Sequence, residues 1–270
     1  VTGRRRGDAD LGARALAELR AIVAELTPRR ERRTLDALRS DPRAGAHALA
    51  EQVEKRRAAR VAEARRVARL FQLRRDLFRA GCRHVAGVDE VGVGPMAGPL
   101  VAAAVILPAR VDLPGLADSK QLTAPERERL DGEIRRQALA VAIAEISVEE
   151  VDRVNVLRAS WLAMTRALNS LALRPDHVLI DAHALPELGL PQTSLPRGDA
   201  RDGSIAAASI VAKVHRDAIM RRLDAEHPGY GFARHMGYCT RAHRRALREL
   251  GPSPVHRRSF APVSQLALFS

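Results

Sequence analysis

Apolar residues recur at helical spacing near the amino terminus, at Leu11, Ala15, Leu16, Leu19, Ile22, Val23 and Leu26, and Pro28 closes the run. This spacing predicts a helix over 10–26. A short second helix is expected over 30–38, and the Ala- and Arg-rich stretch 44–80 reads as a long helix stopped by Gly81. The pattern then changes period. His84–Val88 and Leu100–Leu107 are compact, β-prone apolar runs, so they read as two strands joined by a tight glycine-rich loop. Further strands are expected at 140–146, 177–180 and 192–195. Helices are expected after the capping box of Thr123 and Glu126, from Ser147 to about Leu173 with an interruption near Asn155, over 204–226, and over 240–250, where Gly251 and Pro252 stop it. Mixed strands followed by helices indicate an α/β domain. The chain thus divides into an all-helical segment 1–80, an α/β domain 81–262 and a tail 263–270.

Charge sharpens this division. The 270 residues carry a formal charge of +13, with 21 Lys and Arg against 11 Asp and Glu in 1–80 but 24 against 21 in 81–270. The helical segment is therefore the expected non-specific electrostatic grip on a polyanion, or else an ordinary solvated set of helix faces. Cys82 and Cys239 lie far apart without metal-ligand spacing, which argues against a zinc site or a disulfide framework and suggests free thiols in a reducing, cytoplasmic setting. No apolar run reaches the length of a membrane span, so no membrane association is expected.

The candidate chemistry lies where strands become loops. Asp89 and Glu90 end the first strand, Asp181 ends the fourth, and Asp199 follows the fifth. Strand ends are where α/β folds place ligands. Neighbouring strand residues face opposite ways, so Asp89 and Glu90 are expected to share a site through a turn immediately after them, permitted by Gly92 and Gly94. Four gathered carboxylates repel one another unless divalent cations neutralise them, and oxygen ligands suit Mg²⁺ or Mn²⁺. A two-metal site would support phosphodiester hydrolysis. Tyr230, Phe232 and Tyr238 cluster beside Arg234 and His235; the first two are expected in the core and Tyr238 on the substrate.

The motifs AGVDEVGVGPMAGPLVAAAVIL, DSK at 118–120, LIDA at 179–182, GDARDGSIAAASIVAKVHRD at 198–217, YGFARHMGY at 230–238 and HRRSFAP at 256–262 resemble the bacterial ribonuclease HII family, and they occur in that family's order. The resemblance implies the RNase H-like fold, a mixed five-stranded sheet flanked by helices. It also implies metal-dependent cleavage of RNA in RNA/DNA hybrids and at single ribonucleotides embedded in duplex DNA. Its products would be 5′-phosphate and 3′-hydroxyl ends, in support of ribonucleotide removal, by a protein expected to be a monomer. Asp89, Glu90, Asp181 and Asp199 match the family's metal-binding acids, Gly92 and Gly94 its junction loop, and Tyr238 its sugar-sensing tyrosine. Ser204, Lys120 and Lys213 complete the expected substrate-contacting set with Val93; phosphate contact is the reading for both lysines, chance retention its alternative.

Four positions depart from the family pattern: Val93 stands in place of arginine, Met236 of lysine, Cys239 of proline and His215 of threonine. They raise a rival reading, a hybrid-binding protein of the same fold with weakened catalysis. The helical segment resembles the amino-terminal extension of some bacterial members and not the strand-rich platform of ribonuclease HIII.

Overall fold

The computed structural model describes residues 11, 14–186 and 188–266. The tail expected at 263–270 is described only as far as Leu266. The chain forms two compact units that divide between Arg66 and Val67.

The first unit is helical: α1 (Leu16–Ala24), α2 (Pro28–Ser40) and most of α3 (Ala44–Leu70). Its core is small, built from Leu19, Val23, Leu35, Leu38, Leu49 and Val53. Arg60 on α3 donates to Glu31 on α2 (2.6 Å), and that hydrogen bond holds the Glu31 carboxyl below its ordinary range. Asp41 accepts from the Arg43 side chain and backbone, which brings its pKa to about 2.

The second unit begins inside α3 and includes α4 (Gln72–Arg79), which places fourteen residues (67–80) expected in the extension with the α/β domain. The physical reason is burial. Val67 and Phe71 belong to the sheet's core, Arg74 is almost fully buried between the rings of Phe71 and Phe78, and Leu77 packs with Val85 and Ile205. At the other end Val263 is fully buried with Met96 and Leu247, so it belongs to the domain and not to a tail.

Five strands form one sheet in the order β3-β2-β1-β4-β5: β1 (Val85–Val91), β2 (Leu100–Ile106), β3 (Ala140–Ile146), β4 (His177–Asp181) and β5 (Gln192–Leu195). β1 pairs antiparallel to β2 and parallel to β4, so the sheet is mixed as expected. Around it lie α5 (Ala124–Gln137), α6 (Val148–Val154), α7 (Val156–Asn169), α8 (Gly203–Glu226), α9 (Phe232–His235), α10 (Arg241–Leu250) and α11 (Val263–Leu266). The interruption expected at Asn155 is real: this residue has φ 67 and caps α7 with its side chain. α7 and α8 cover opposite faces of the sheet. α8 comes very close, because a Cβ at Gly87 would sit 2.1 Å from the Ser204 carbonyl carbon; only glycine lets this helix start lie on β1.

Candidate active site

β1 runs three residues beyond its expected end at Val88, to Val91, and this changes the geometry of the acid pair. Asp89 and Glu90 are paired with Ala103 and Ala102 inside the ladder, so they face opposite sides of the sheet. Asp89 points to α8, where Ser209 donates to its carboxylate, whereas Glu90 points to α7 and accepts from Ser160. The turn expected to bring both to one side comes too late to do so.

Asp89 nevertheless gains two partners. One carboxylate oxygen from each of Asp89, Asp181 and Asp199 lies within 4.8 Å of the others. Asp181 reaches this place as the last residue of β4, held by the Gly198 N–H (2.6 Å), and Asp199 sits on a single 3₁₀ turn over 198–200. Burial, then the charges of Glu90 and Asp181, push the Asp89 carboxyl well above its ordinary range. Glu90 is outside that trio, but it is raised as well, first by burial and then by the charge of Asp181. It therefore lies at the edge of the same field.

The Lys120 ammonium donates to Asp199 (2.9 Å) and stands 4.0 Å from Asp118. Partial burial lowers its pKa, but the bond to Asp199 and the surrounding acid charges outweigh this and raise it. A cluster that retains several buried carboxylates and recruits an ammonium is short of positive charge. Its all-oxygen donor set fits hard divalent cations.

The expected substrate-contacting residues fall into three groups. Val93 and Tyr238 are exposed (39% and 46%), and a Cβ at Gly94 would lie 3.7 Å from the Tyr238 ring, so loop and tyrosine are neighbours. Gly92 has φ 94 and no room for a side chain, with Arg216 Nε 2.4 Å from a Cβ there. Lys120 lies with the acids and is largely exposed. Lys213 instead forms an ion pair with Asp217 one turn along α8 (2.6 Å). Ser204 is a correction: it is completely buried against β1, its N–H bound to Asp202, so it sets the start of α8 and faces no substrate. Tyr230 and Phe232 stack in the interior as expected, and His215 pairs with Glu145 (2.7 Å).

A family model described as ribonuclease HII matches residues 86–263. The chain belongs to the ribonuclease HII family. A ribonuclease HII of Myxococcus xanthus is 49% identical over 253 residues, covering 93% of this chain and 86% of the relative. One of Desulfitobacterium hafniense is 49% identical over 231 residues, covering 86% and 89%. Among solved structures, the ribonuclease H2 from Pyrococcus horikoshii superposes with TM-score 0.58 at 26% identity, covering 69% of this chain and 98% of that one. Ribonuclease HII proteins are hydrolytic endonucleases of RNA/DNA hybrids and depend on divalent metal, and the acid trio lies within the matched segment.

Four residues that shape the site carry no role in the sequence analysis. Ser209 and Ser119 hydroxyls lie 2.9 Å apart; with Asp89 ionised, Ser209 spends its proton on the carboxylate and accepts one from Ser119. Ser119 sits inside the DSK motif, and Ser209 is a hydroxyl in a run of small apolar residues; these are the signals that would have found them. Arg216 and Arg257, buried beneath the glycine loop, also lie inside quoted motifs, at VHRD and HRRSFAP, but nothing local separates them from the other arginines among 42.

Proposed function

We propose that this protein cleaves duplex DNA on the 5′ side of single embedded ribonucleotides, as well as RNA in hybrids, leaving 5′-phosphate and 3′-hydroxyl ends. The observation that supports this reading is the closeness of Gly94 to the Tyr238 ring, on the loop that leaves the strand bearing Asp89, which offers a backbone grip and a sugar-sized ring a few residues along the chain from that acid. The 2′-hydroxyl is what distinguishes a ribonucleotide from its neighbours, and exposed N–H groups of a glycine loop suit it.

Asp89, Asp181 and Asp199, with Glu90 from the other face of β1, would hold Mg²⁺ or Mn²⁺. Bound there, divalent cations would supply charge neutralisation and electrophilic assistance to phosphodiester hydrolysis. The chain's own part is positional. Ser209 fixes the Asp89 carboxylate, the Gly198 N–H fixes Asp181, and Lys120 offsets Asp199 until a divalent cation takes its place. The protein is proposed to act as a cytoplasmic monomer; among the described residues no helix is long and apolar enough to cross a membrane.

Incubation with a duplex containing one ribonucleotide, with Mg²⁺, Mn²⁺ or chelator, tests the reading. Incision 5′ of the ribonucleotide with either metal and none with chelator is expected. Tight binding without incision would instead establish the weakened, hybrid-binding alternative.

A further inference from the structure

The glycine loop rests on two guanidinium groups to which, among the described residues, no carboxylate is hydrogen-bonded. Arg216 on α8 and Arg257 beyond α10 are fully buried. Arg216 donates from Nε to the Pro99 carbonyl (2.9 Å), from Nη1 to that of Met236 (3.0 Å) and from Nη2 to that of Ala97 (3.2 Å). Arg257 donates from Nε and Nη2 to Gly98 (3.0 and 2.9 Å), from Nη2 also to Gly92 (2.6 Å), and from Nη1 to Val93 (3.2 Å). Burial lowers Arg216 to about 10 and, with the charge of Arg216 beside it, Arg257 to about 9. Two neighbouring buried cations are costly, and a neutral donor would close a loop at lower cost. Their charge therefore calls for a use.

The peptide bond supplies one. Across a trans peptide the C=O and the next N–H point in opposite directions. Drawing the Gly92 and Val93 carbonyls inward to Arg257 turns the N–H groups of Val93 and Gly94 outward. Among the described residues neither N–H has an internal acceptor, and both residues are exposed. Successive outward N–H groups form a concavity that attracts oxygen anions and hydroxyl oxygens. The same arginines reach the tyrosine side of the site. Arg216 holds Met236, a non-glycine residue at φ 51, and the Met96 N–H donates to Gly237 (3.0 Å), so loop and Tyr238 segment are bound together from below.

We infer that Arg216 and Arg257 are positioning residues of the junction grip: they aim the N–H groups of Val93 and Gly94 at a backbone oxygen of the nucleic acid and lend that pair positive potential from beneath, where position 93 has no cation. The inference rests on the function proposed above and adds the device that lets a valine-bearing loop carry it out. Lysine cannot substitute, because a single ammonium cannot hold several carbonyls in the plane of a guanidinium fork.

The test uses the full chain in chelator, where no cleavage is needed. The amide resonances of Val93 and Gly94 are followed during titration with a duplex bearing one ribonucleotide and with the all-DNA duplex of the same sequence. Both amides are expected to shift with the ribonucleotide duplex. A smaller shift with DNA assigns the 2′-hydroxyl as acceptor, and an equal one assigns phosphate. In Arg257→Lys and Arg216→Lys the preference for the ribonucleotide duplex over DNA is expected to fall roughly tenfold, the scale of one charge-assisted hydrogen bond. Metal-dependent cleavage of long hybrids should fall much less. Parent amides that ignore both duplexes overturn the inference, and so does a folded lysine variant that keeps the parental preference where the amides assign the 2′-hydroxyl, or the parental affinity where they assign phosphate; where neither variant folds, the amides decide. A parent that shows the amide response but cleaves nothing sinks the proposed function and leaves this inference standing.

Discussion

Nε2 of His243 lies 3.1 Å from Nε2 of His256, and the partners of both rings fix which nitrogen carries each proton. His243 Nδ1 faces the Tyr238 carbonyl (2.9 Å) and must donate to it; His256 Nδ1 faces the Ser253 N–H (3.0 Å) and must accept. His256 therefore donates to the bare Nε2 of His243, and the relay holds the main chain of the proposed sugar-sensing tyrosine only while both rings are neutral.

Both histidines are buried, and acid should break this relay. Burial is the main cause that brings each to about 4 from an ordinary 6.5; His235 adds to it for His243, and His243, Arg258 and His227 add to it for His256. Between those values the unfolded chain binds more protons than the folded one, so stability is complete above about 6.5 and is lost as pH falls towards 4. Denaturant unfolding from pH 7 to 4.5 should show this slope, and a His243→Gln, His256→Gln double variant should flatten it. An unchanged slope in the double variant would place the acid sensitivity elsewhere.

The acid trio makes a sharper prediction. Asp89→Asn or Asp199→Asn should lower metal-dependent cleavage at least ~100-fold, as loss of a group that places a catalytic metal commonly does, with hybrid binding retained. Glu90 lies across the strand, so Glu90→Gln separates two roles. A loss equal to that of Asp89→Asn would show that its carboxylate reaches the same cations, and a small loss would confine it to the surrounding field.

What could be read in the sequence was what has a period or a cap. β2 is a continuous apolar run, the capping box of Thr123 and Glu126 forms as its residues dictate, and Asn155 breaks a helix where the pattern weakens. The acids were legible because each borders a compact apolar run or lies in the loop after one, although only Asp181 ends its strand. The break of the long helix between Leu70 and Gln72 was not, since neither glycine nor proline marks it and the cause is the burial of Phe71 and Arg74 within the second unit. The extension of β1 to Val91 was hidden by the expectation that a strand stops near its charged residues. Ser204 looked like a surface hydroxyl because nothing local shows how closely Gly87 lets α8 approach.

The unit boundary inside α3, between Arg66 and Val67, redraws the amino-terminal truncation. Removing 1–66 takes away 17 Lys and Arg against 10 Asp and Glu, and should weaken duplex binding at low salt and flatten its salt dependence. The remaining unit should keep its melting temperature. Removing 1–80 also deletes Phe71, whose ring fills the space above Gly203, and buried Arg74, so that shorter protein should melt lower. Equal melting of the two truncated proteins would contradict the boundary at Arg66. Unchanged affinity and salt slope would make the first unit a solvated or partner-binding element.

Val93→Arg is the most direct test of how the loop tolerates its departure from the family pattern. The side chain at 93 is exposed and the residue's carbonyl is already held by Arg257, so the substitution leaves the backbone donors in place. It adds a surface guanidinium able to make one charge-assisted hydrogen bond to phosphate. That bond is worth ~1.5 kcal/mol or more in isolation, but here it forms above two like charges, which argues for the low end and a gain of about tenfold at an embedded ribonucleotide. On long hybrids, where many contacts share the grip, the gain should be smaller. Cleavage rates of both substrates at matched metal concentration decide it. An arginine variant no faster than the parent on either would mean that Arg216 and Arg257 already supply all the positive potential the loop can use, while a gain equal on both substrates would assign the new contact to general phosphate binding and not to the junction.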